Sequence, residues 1–214
     1  MAAIARLGVL GGTFDPIHLG HLLMAQTALE GLGLDRVLFL PAGTPPHKRK
    51  VEHLDVETRL ELTRAAVADD PRFLVSTVDV ERPGPHYSVD TMALLAEQYR
   101  IGPDSIYFII GSDSLKQLHT WRRPGELARR CMLAVIERPG WPTDLEAVAA
   151  RVPETERRVV TVTMPLVGIS STILRGMVAR GQSVRYWVPP AVEAIICERG
   201  LYRQPQPETG GNAS

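Results

Sequence analysis

The alternation of strand-like and helical segments predicts an α/β fold, a doubly wound parallel sheet with helices on both faces. Short apolar runs and helical patterns follow one another almost to the end of the 214-residue chain. Two of the runs, 105–111 and 131–137, are almost continuously apolar, which is typical of strands covered on both faces. Right-handed βαβ units build such sheets, and their ligands bind beyond the carboxyl ends of the strands.

The predicted elements follow from periodicity and capping residues. Asp55 and Ser88 are predicted helix N-caps, and Gly181 and Gly200 are predicted to end the last two helices. The predicted strands are 4–10, 36–41, 73–80, 105–111, 131–137 and 158–164. The predicted helices are 22–34, 55–68, 88–99, 171–181 and 189–200.

Composition favours one soluble cytoplasmic domain over residues 1–203, followed by a polar, Pro- and Gly-rich tail, 204–214, predicted to be disordered. Formal net charge is zero, which indicates neither a nucleic-acid surface nor an acidic-membrane surface. No membrane-spanning stretch or secretory leader is predicted. Cys131 and Cys197 are too few for a disulfide framework and lie in apolar runs, so both are predicted to be buried free thiols.

The most informative segment is GGTFDPIHLGH, residues 11–21, at the turn from the first strand to the first helix. Gly11 and Gly12 let the backbone approach a ligand closely, and Thr13 adds a hydroxyl donor. Unpaired N–H groups and the helix dipole attract phosphate at such a turn. His18 and His21 are three residues apart and are predicted to share a face. The segment therefore predicts a phosphate site.

Three alternatives fit this segment less well. The chain lacks G-x-x-x-x-G-K-[ST], so a P-loop is not supported, and it lacks G-x-G-x-x-G, so a dinucleotide fingerprint is not supported. The two histidines could suggest a metal site, but no Cys or further His lies nearby at ligand spacing. Asp15-Pro16 is interpreted as a turn.

Three later segments leave the same predicted sheet edge. In PAGTPPHKRK, His47 or Lys48 could contact phosphate. In GSDSLKQLHTW, Asp113 is placed to accept hydrogen bonds from a ribose or to cap a helix, and Trp121 is predicted on a loop where it can stack on a ring. In GISSTILR, a serine cap and an arginine one turn later predict a second phosphate site.

These segments, together with HYSVDT, resemble the bacterial nicotinate-nucleotide adenylyltransferases in order and separation, from about Leu7 to Tyr202. H-x-G-H and I-S-S-T-x-x-R mark the wider nucleotidyltransferase superfamily, and F-D-P and G-x-D…W narrow the resemblance to this branch. It implies a Rossmann-like fold and the joining of ATP and nicotinate mononucleotide into deamido-NAD and pyrophosphate. It also implies Mg²⁺ on the ATP phosphates with no metal ligand from side chains. From the zero net charge and the lack of a membrane-spanning stretch, no nucleic-acid or membrane partner is expected. A homo-oligomer is left open.

The resemblance also implies roles for individual residues, with Tyr87-Ser88 standing where the family has Tyr-Thr. His18, His21 and Arg175 would be catalytic. ATP would be bound by Gly11, Gly12, Thr13, Phe14, His18, His21, Gly111, Asp113, Ile169, Ser170, Ser171, Thr172 and Arg175. Nicotinate mononucleotide would be bound by Thr13, Lys48, Tyr87, Ser88, Trp121 and Arg138.

The chemistry then needs no nucleophilic side chain, because the acceptor's phosphate attacks and pyrophosphate leaves in a direct in-line displacement without a covalent enzyme intermediate. Two rivals remain. One is a nucleotidyltransferase for phosphopantetheine or nicotinamide mononucleotide, and the other is a non-catalytic nucleotide sensor.

Overall fold

Six parallel strands form the centre of the molecule, in a computed structural model that describes residues 4–43, 53–137, 140 and 142–204. The strands are β1 (Leu7–Gly12), β2 (Arg36–Pro41), β3 (Phe73–Val75), β4 (Ile106–Gly111), β5 (Met132–Glu137) and β6 (Val159–Thr163). They pair in the order β3-β2-β1-β4-β5-β6. The order reverses between β1 and β4, where Leu7 is paired with both Arg36 and Ile106. The predicted fold class is confirmed.

Helices cover both faces of this sheet. In the described residues they are α1 (Leu19–Gly31), α2 (Val56–Val67), α3 (Val78–Glu81), α4 (Ser88–Tyr99), α5 (Ser112–Lys116), α6 (Pro124–Arg130), α7 (Leu145–Arg151), α8 (Ser171–Ala179) and α9 (Pro190–Glu198). Short 3₁₀ turns occupy Leu118–Thr120 and Pro153–Thr155. No helix among them is long and apolar enough to cross a membrane.

The period of two along each strand divides the buried side chains into two cores. In β4, Tyr107 and Ile109 pack with α1, α2, α8 and α9, whereas Ile106, Phe108 and Ile110 pack with α4, α6 and α7. Burying one large aliphatic side chain contributes about 1.5–3 kcal/mol, so both faces stabilise the sheet. The two cores hold the carboxyl ends of β1 and β4 side by side.

The predicted strand over 73–80 is wrong in its second half. β3 ends at Val75, and the chain turns at Ser76, whose Oγ accepts a hydrogen bond from the Val78 backbone at 3.4 Å. Asp79 in α3 is then buried, where it accepts hydrogen bonds from Arg82 and Thr91. Tertiary polar contacts therefore override an alternating apolar pattern.

The two predicted N-caps differ in outcome. Asp55 caps α2, where its Oδ1 accepts from the Thr58 backbone at 2.7 Å. The prediction for Ser88 is wrong, because Tyr87 is the N-cap of α4 and makes no side-chain capping bond. Ser88 is instead the first helical residue, which leaves the start of α4 without a side-chain cap.

The two cysteines also differ. Cys131 is a buried free thiol as predicted, but Cys197 on α9 is exposed, so its predicted burial is wrong. Gly181 and Gly200 lie just beyond α8 and α9 with φ of 73° and 61°, the left-handed conformation that favours glycine at a helix end. Apart from Gln204, the predicted tail lies outside the described residues.

Candidate active site

Two adjoining cavities open at the carboxyl edge of the sheet, where the strand order reverses. This is where open α/β sheets bind ligands. The larger cavity has a volume of about 1230 Å³ and the smaller about 360 Å³. Five residues line both cavities: Gly12, His21, Met24, Gly111 and Ser114. A ligand in one cavity can therefore lie against a ligand in the other.

Most residues predicted to bind ATP lie around the larger cavity. Its lining includes Gly12, Thr13, Phe14, His18, His21, Gly111, Asp113, Ile169, Ser170, Ser171, Thr172 and Arg175. Gly11, the remaining member of that set, lines the smaller cavity. Segments more than 150 residues apart along the chain thus meet at one place, as their shared position at strand ends predicts.

Residues predicted to bind the mononucleotide are more scattered. Ser88 and Trp121 line the smaller cavity, whereas Thr13 lines the larger one. Tyr87 lines neither and packs against the core, with the Arg122 guanidinium 5.7 Å from its ring centre. His47, Lys48 and Arg138 lie outside the described residues. The role of each stays a prediction.

The two histidines of the first segment lie together at the start of α1. His18 is the N-cap and His21 occupies the third helical position, and their rings stack with centroids 3.7 Å apart. The His18 backbone N–H donates to His21 Nδ1 at 3.3 Å. The neutral His21 ring therefore carries its proton on Nε2. The edge-on ring of Phe14, 4.9 Å away, supports this orientation.

A neighbouring side chain leaves no room for any residue other than glycine at position 12. A Cβ at this position would lie 2.6 Å from the Phe14 ring. Phe14 has a φ of 50°, is almost completely buried and lines the larger cavity. Glycine is thus required here by the packing of Phe14, and not only by close approach of a ligand.

Burial sets the charge of His18. The residue is 5% exposed, and desolvation lowers the pKa of its imidazole from 6.5 to about 4, although a backbone hydrogen bond acts in the opposite direction. Its Nδ1 is buried and has no hydrogen-bond partner among the described residues. At neutral pH the free protein therefore holds an uncharged, incompletely paired imidazole at the edge of the larger cavity.

His18 should make stability depend on pH. Between about pH 6.5 and 4 the unfolded chain binds a proton that the folded protein excludes, so the free energy of unfolding falls as pH falls. From pH 6.5 to 4.5 this loss is about 2 kcal/mol. We expect His18→Asn to lose about that much less than the parent protein in urea titrations at the two pH values. His119→Asn, which replaces an exposed imidazole, should retain the parental loss. Equal losses in the parent and His18→Asn would contradict this assignment.

A buried network centred on Asp15 joins the first segment to the end of the chain. Asp15 is 1% exposed, and its carboxylate accepts from Tyr202 Oη and lies against His53 Nδ1, both at 2.8 Å. Burial and the neighbouring Asp15 charge raise the pKa of Tyr202. Arg175 donates to the Asp15 carbonyl at 2.6 Å, and Ser171 Oγ donates to the Pro16 carbonyl at 2.9 Å. The start of α8 is thereby fastened to the first segment.

Arg59 on α2 fixes the loops that follow β1 and β2. Its guanidinium donates to the carbonyls of Thr13 at 2.8 Å and Gly43 at 3.0 Å, and its Nε donates to Leu54 at 3.1 Å. The residue is 3% exposed, and burial lowers its pKa. One buried cation thus ties together backbone segments that adjoin both cavities.

The smaller cavity is mainly apolar and has a polar end beside α3 and α4. The Trp121 ring lies 6.1 Å from that of Phe108, and Trp121 sits on the predicted loop. Beside α3 and α4, Thr91 Oγ1 donates to Asp79 Oδ1 at 2.8 Å, and Arg82 donates to the same oxygen. His86 also lines this cavity.

Sequence reasoning missed several of these residues. Asp15 was interpreted as part of a turn, although it lies inside the most informative segment. His86 lies in HYSVDT, directly before the predicted Tyr87-Ser88 pair, so its position in the sequence could have indicated that it lines the same cavity. No local signal marks His53, Arg59 or Tyr202, because their contacts reach 38, 46 and 187 residues along the chain.

Comparison with known proteins first defines the class. The sequence model of the cytidylyltransferase-like family matches residues 9–177, which contain all the described residues that line the two cavities. The structure of a Plasmodium falciparum nicotinic acid mononucleotide adenylyltransferase, solved in complex with NaAD, superposes with a TM-score of 0.73 over 92% of this chain and 97% of that one. At 16% identity this likeness concerns the fold. The chain is a nucleotidyltransferase enzyme.

Sequence relatives define the family more narrowly. A probable nicotinate-nucleotide adenylyltransferase from Thermus thermophilus is 48% identical over 199 residues, covering 92% of this chain and 100% of the relative. Another, from Thermomicrobium roseum, is 46% identical over 200 residues, covering 94% and 92%. The chain belongs to the nicotinate-nucleotide adenylyltransferase family, as its motifs indicated.

Proposed function

We propose that this enzyme transfers the adenylyl group of ATP to nicotinate mononucleotide, producing deamido-NAD and pyrophosphate for NAD biosynthesis. The observation that carries the proposal is the pair of adjoining cavities with His21 on their shared wall. ATP occupies the larger cavity and the mononucleotide the smaller one, so that the acceptor phosphate approaches the α-phosphate beside His21. The family assignment supports both substrates.

In the larger cavity, neutral donors and one guanidinium bind the polyphosphate. His21 donates from Nε2, and His18 supplies a second imidazole at the start of α1. Arg175 and the N–H groups at the start of α8, which Ser170 caps, bind the β,γ end. Asp113 accepts from the ribose. Since the substrate phosphate is itself the nucleophile, alignment and charge stabilisation suffice for an in-line displacement with no covalent intermediate.

In the smaller cavity, Trp121 stacks on the pyridine ring, and the uncapped start of α4 at Ser88 faces its carboxylate. The dipole of α4 favours an anion there. A carboxamide would direct its own N–H donors at those backbone donors, so nicotinate is preferred over nicotinamide. The hydroxyl of Ser88 serves where the family has threonine.

Magnesium is proposed to enter on the ATP phosphates. No group of three or more His, Cys, Asp or Glu side chains in the described residues could hold a metal ion. A hard cation held by phosphate oxygens and water needs no such cluster, and the donors around the larger cavity leave the phosphates free to bind it. Bound there, Mg²⁺ neutralises phosphate charge. We also propose that residues 1–203 act as one domain in the cytoplasm.

A pyrophosphate-release assay tests the proposal. Purified protein is given ATP with nicotinate mononucleotide, nicotinamide mononucleotide or phosphopantetheine, and the adduct is identified by mass spectrometry. We expect the highest specificity constant with nicotinate mononucleotide. Equal constants for the two pyridine mononucleotides would overturn the nicotinate assignment. Fastest release with phosphopantetheine would indicate another nucleotidyltransferase. ATP binding without release for any acceptor would indicate a nucleotide sensor.

Arg175→Ala should weaken ATP binding about tenfold or more and leave mononucleotide affinity nearly unchanged, because a charge-assisted contact to phosphate is lost. Arg175→Lys should recover only part of the affinity, since an ammonium cannot reproduce the planar fork that also holds the Asp15 carbonyl. Isothermal titration with each substrate separately measures both affinities. Arg180→Ala, an exposed arginine beyond the same helix, is the control. Parental ATP affinity in Arg175→Ala would place Arg175 outside the phosphate site.

A further inference from the structure

Lys116, the last residue of α5, lines the larger cavity together with Asp113, which lies three residues earlier on the same helix. Side chains at this spacing are neighbours on a helix surface, with about 5–6 Å between their Cβ atoms. Leu115 is 1% exposed and packs into the core, and Ser112 Oγ donates to the Ile136 carbonyl at 3.2 Å. The helix is thus anchored on its buried side, and Asp113 and Lys116 border the cavity side by side.

The Lys116 ammonium has its full capacity to donate left for a ligand. The side chain is exposed, and its ammonium has no hydrogen-bond or ion-pair partner among the described residues. Arg175 is the other described lining residue of this cavity that carries a permanent positive charge, and it already donates to the Asp15 carbonyl at 2.6 Å. Lys116 was not among the residues predicted from the sequence to bind ATP.

A carboxylate and an ammonium group side by side match the pair of hydroxyls on a ribose. Each hydroxyl has one proton to donate and lone pairs that accept. An ionised carboxylate can only accept and an ammonium group can only donate, so the two together satisfy a hydroxyl in both of its roles. A sugar without these hydroxyls would leave both groups without that contact.

We propose that Lys116 makes the enzyme selective for the ribose of ATP, by donating from its ammonium group to the oxygen of a hydroxyl whose proton Asp113 accepts. This inference rests on the proposed function, in which ATP occupies the larger cavity and Asp113 accepts from the ribose. The lysine stem is long and flexible, so the contact forms when the nucleotide binds. Lys116 thereby contributes to the choice of nucleotide and not to the displacement at the α-phosphate.

The first measurement compares ATP with 2′,3′-dideoxy-ATP, which has the same base and phosphates but neither hydroxyl. Competition kinetics at saturating nicotinate mononucleotide gives the ratio of the two specificity constants. In Lys116→Met, which keeps the stem and removes the charge, we expect the preference for ATP to fall about threefold to tenfold, because a charged donor to the hydroxyls is lost. Two controls should keep the parental ratio: Gln117→Ala, an exposed neighbour that lines neither cavity, and Arg64→Ala, which removes an exposed cation on α2.

The second measurement uses the 2′,3′-dialdehyde of ATP, in which periodate has cleaved the bond between the two hydroxyl-bearing carbons. A lysine amine within reach bonds to an aldehyde carbon with loss of water, and added borohydride reduces the C=N bond to a stable secondary amine. Peptide mass spectrometry should find this label on Lys116. Excess ATP should prevent the labelling, whereas excess nicotinate mononucleotide alone should not. The chain has two other lysines, Lys48 and Lys50, so the labelled peptide is readily identified.

The outcomes separate this inference from the function on which it rests. A parental ratio in Lys116→Met, even with both specificity constants lowered, would overturn the inference, since the ammonium would then act on the phosphates that both nucleotides share. Absence of an ATP-protected label on Lys116 would contradict its place beside the ribose. The labelling needs no acceptor, so it tests Lys116 whichever acceptor is used. Failure of the parent protein to produce deamido-NAD would overturn the proposed function instead.

Discussion

Replacing His21 with alanine is expected to lower turnover by ~10²–10³ while the protein stays folded. His21 lies on the wall shared by both cavities, and its orientation is fixed by the His18 backbone N–H and the Phe14 ring. A donor held in place before the reaction stabilises charge developing on the α-phosphate without reorganisation. The loss should therefore appear mainly in kcat.

Steady-state kinetics with both proposed substrates, beside a urea unfolding curve, test this expectation. His18→Ala should behave similarly, because its ring stacks on that of His21. His119→Ala controls for the loss of an imidazole and should retain parental turnover. Near-parental turnover in folded His21→Ala and His18→Ala would show that the first segment does not bind the reacting phosphates.

Strand and helix periodicity predicted much of the fold because the sheet is buried on both faces. β2 has the predicted bounds, β4 and β5 each begin one residue later than predicted, and β6 is one residue shorter than predicted at each end. Each is a short apolar run, so its intrinsic preference for a strand agrees with the burial of its side chains in the two cores. The short helices α6 and α7, seven residues each, were missed because two turns give too little periodicity.

Prediction from the local sequence pattern failed where contacts with other segments determine the backbone conformation. Residues 76–80 alternate as a strand would, yet Asp79 is drawn into α3 by Arg82 and Thr91. Ser88 is of a residue type that favours the N-cap, yet the N-cap of α4 is the preceding residue, Tyr87, which packs against the core. In both cases packing that the sequence does not display outweighs a preference worth about 1 kcal/mol.

In the candidate site, too, some residues could be predicted from the sequence and others could not. Residues at strand ends could be predicted, because a parallel sheet brings all its carboxyl ends to one edge. The buried residues that hold these strand ends and loops in place could not be predicted. An arginine in an amphipathic helix is expected to face solvent, whereas Arg59 is buried between Leu60 and Thr58, which are also buried. Its partners are backbone carbonyls, which every residue has. The residue types at those positions therefore give no sign of the contacts.

Arg59→Ala is expected to lower the free energy of unfolding by about 3–5 kcal/mol. The substitution leaves the carbonyls of Leu54, Thr13 and Gly43 without their donor and opens a cavity the size of a guanidinium side chain. Each unpaired buried acceptor costs about 1–3 kcal/mol, and relief from burying a charge offsets part of that sum. Urea unfolding at pH 7 measures the change. Arg64→Ala, an exposed arginine on the same helix, should stay within about 0.5 kcal/mol of the parent.

Arg59→Lys separates the geometry of the guanidinium from its charge. An ammonium donates from one point and cannot span three carbonyls on separate segments, so we expect a stability between those of the parent and Arg59→Ala. Because Thr13 lines the larger cavity and Gly43 adjoins His86 in the smaller one, KM for both substrates should rise together in the lysine variant. A variant as stable as Arg64→Ala, or a change in KM for one substrate alone, would show that Arg59 does not hold the two loops in place. The joint rise is the sharper criterion, since a purely local disturbance of α2 would not reach both cavities.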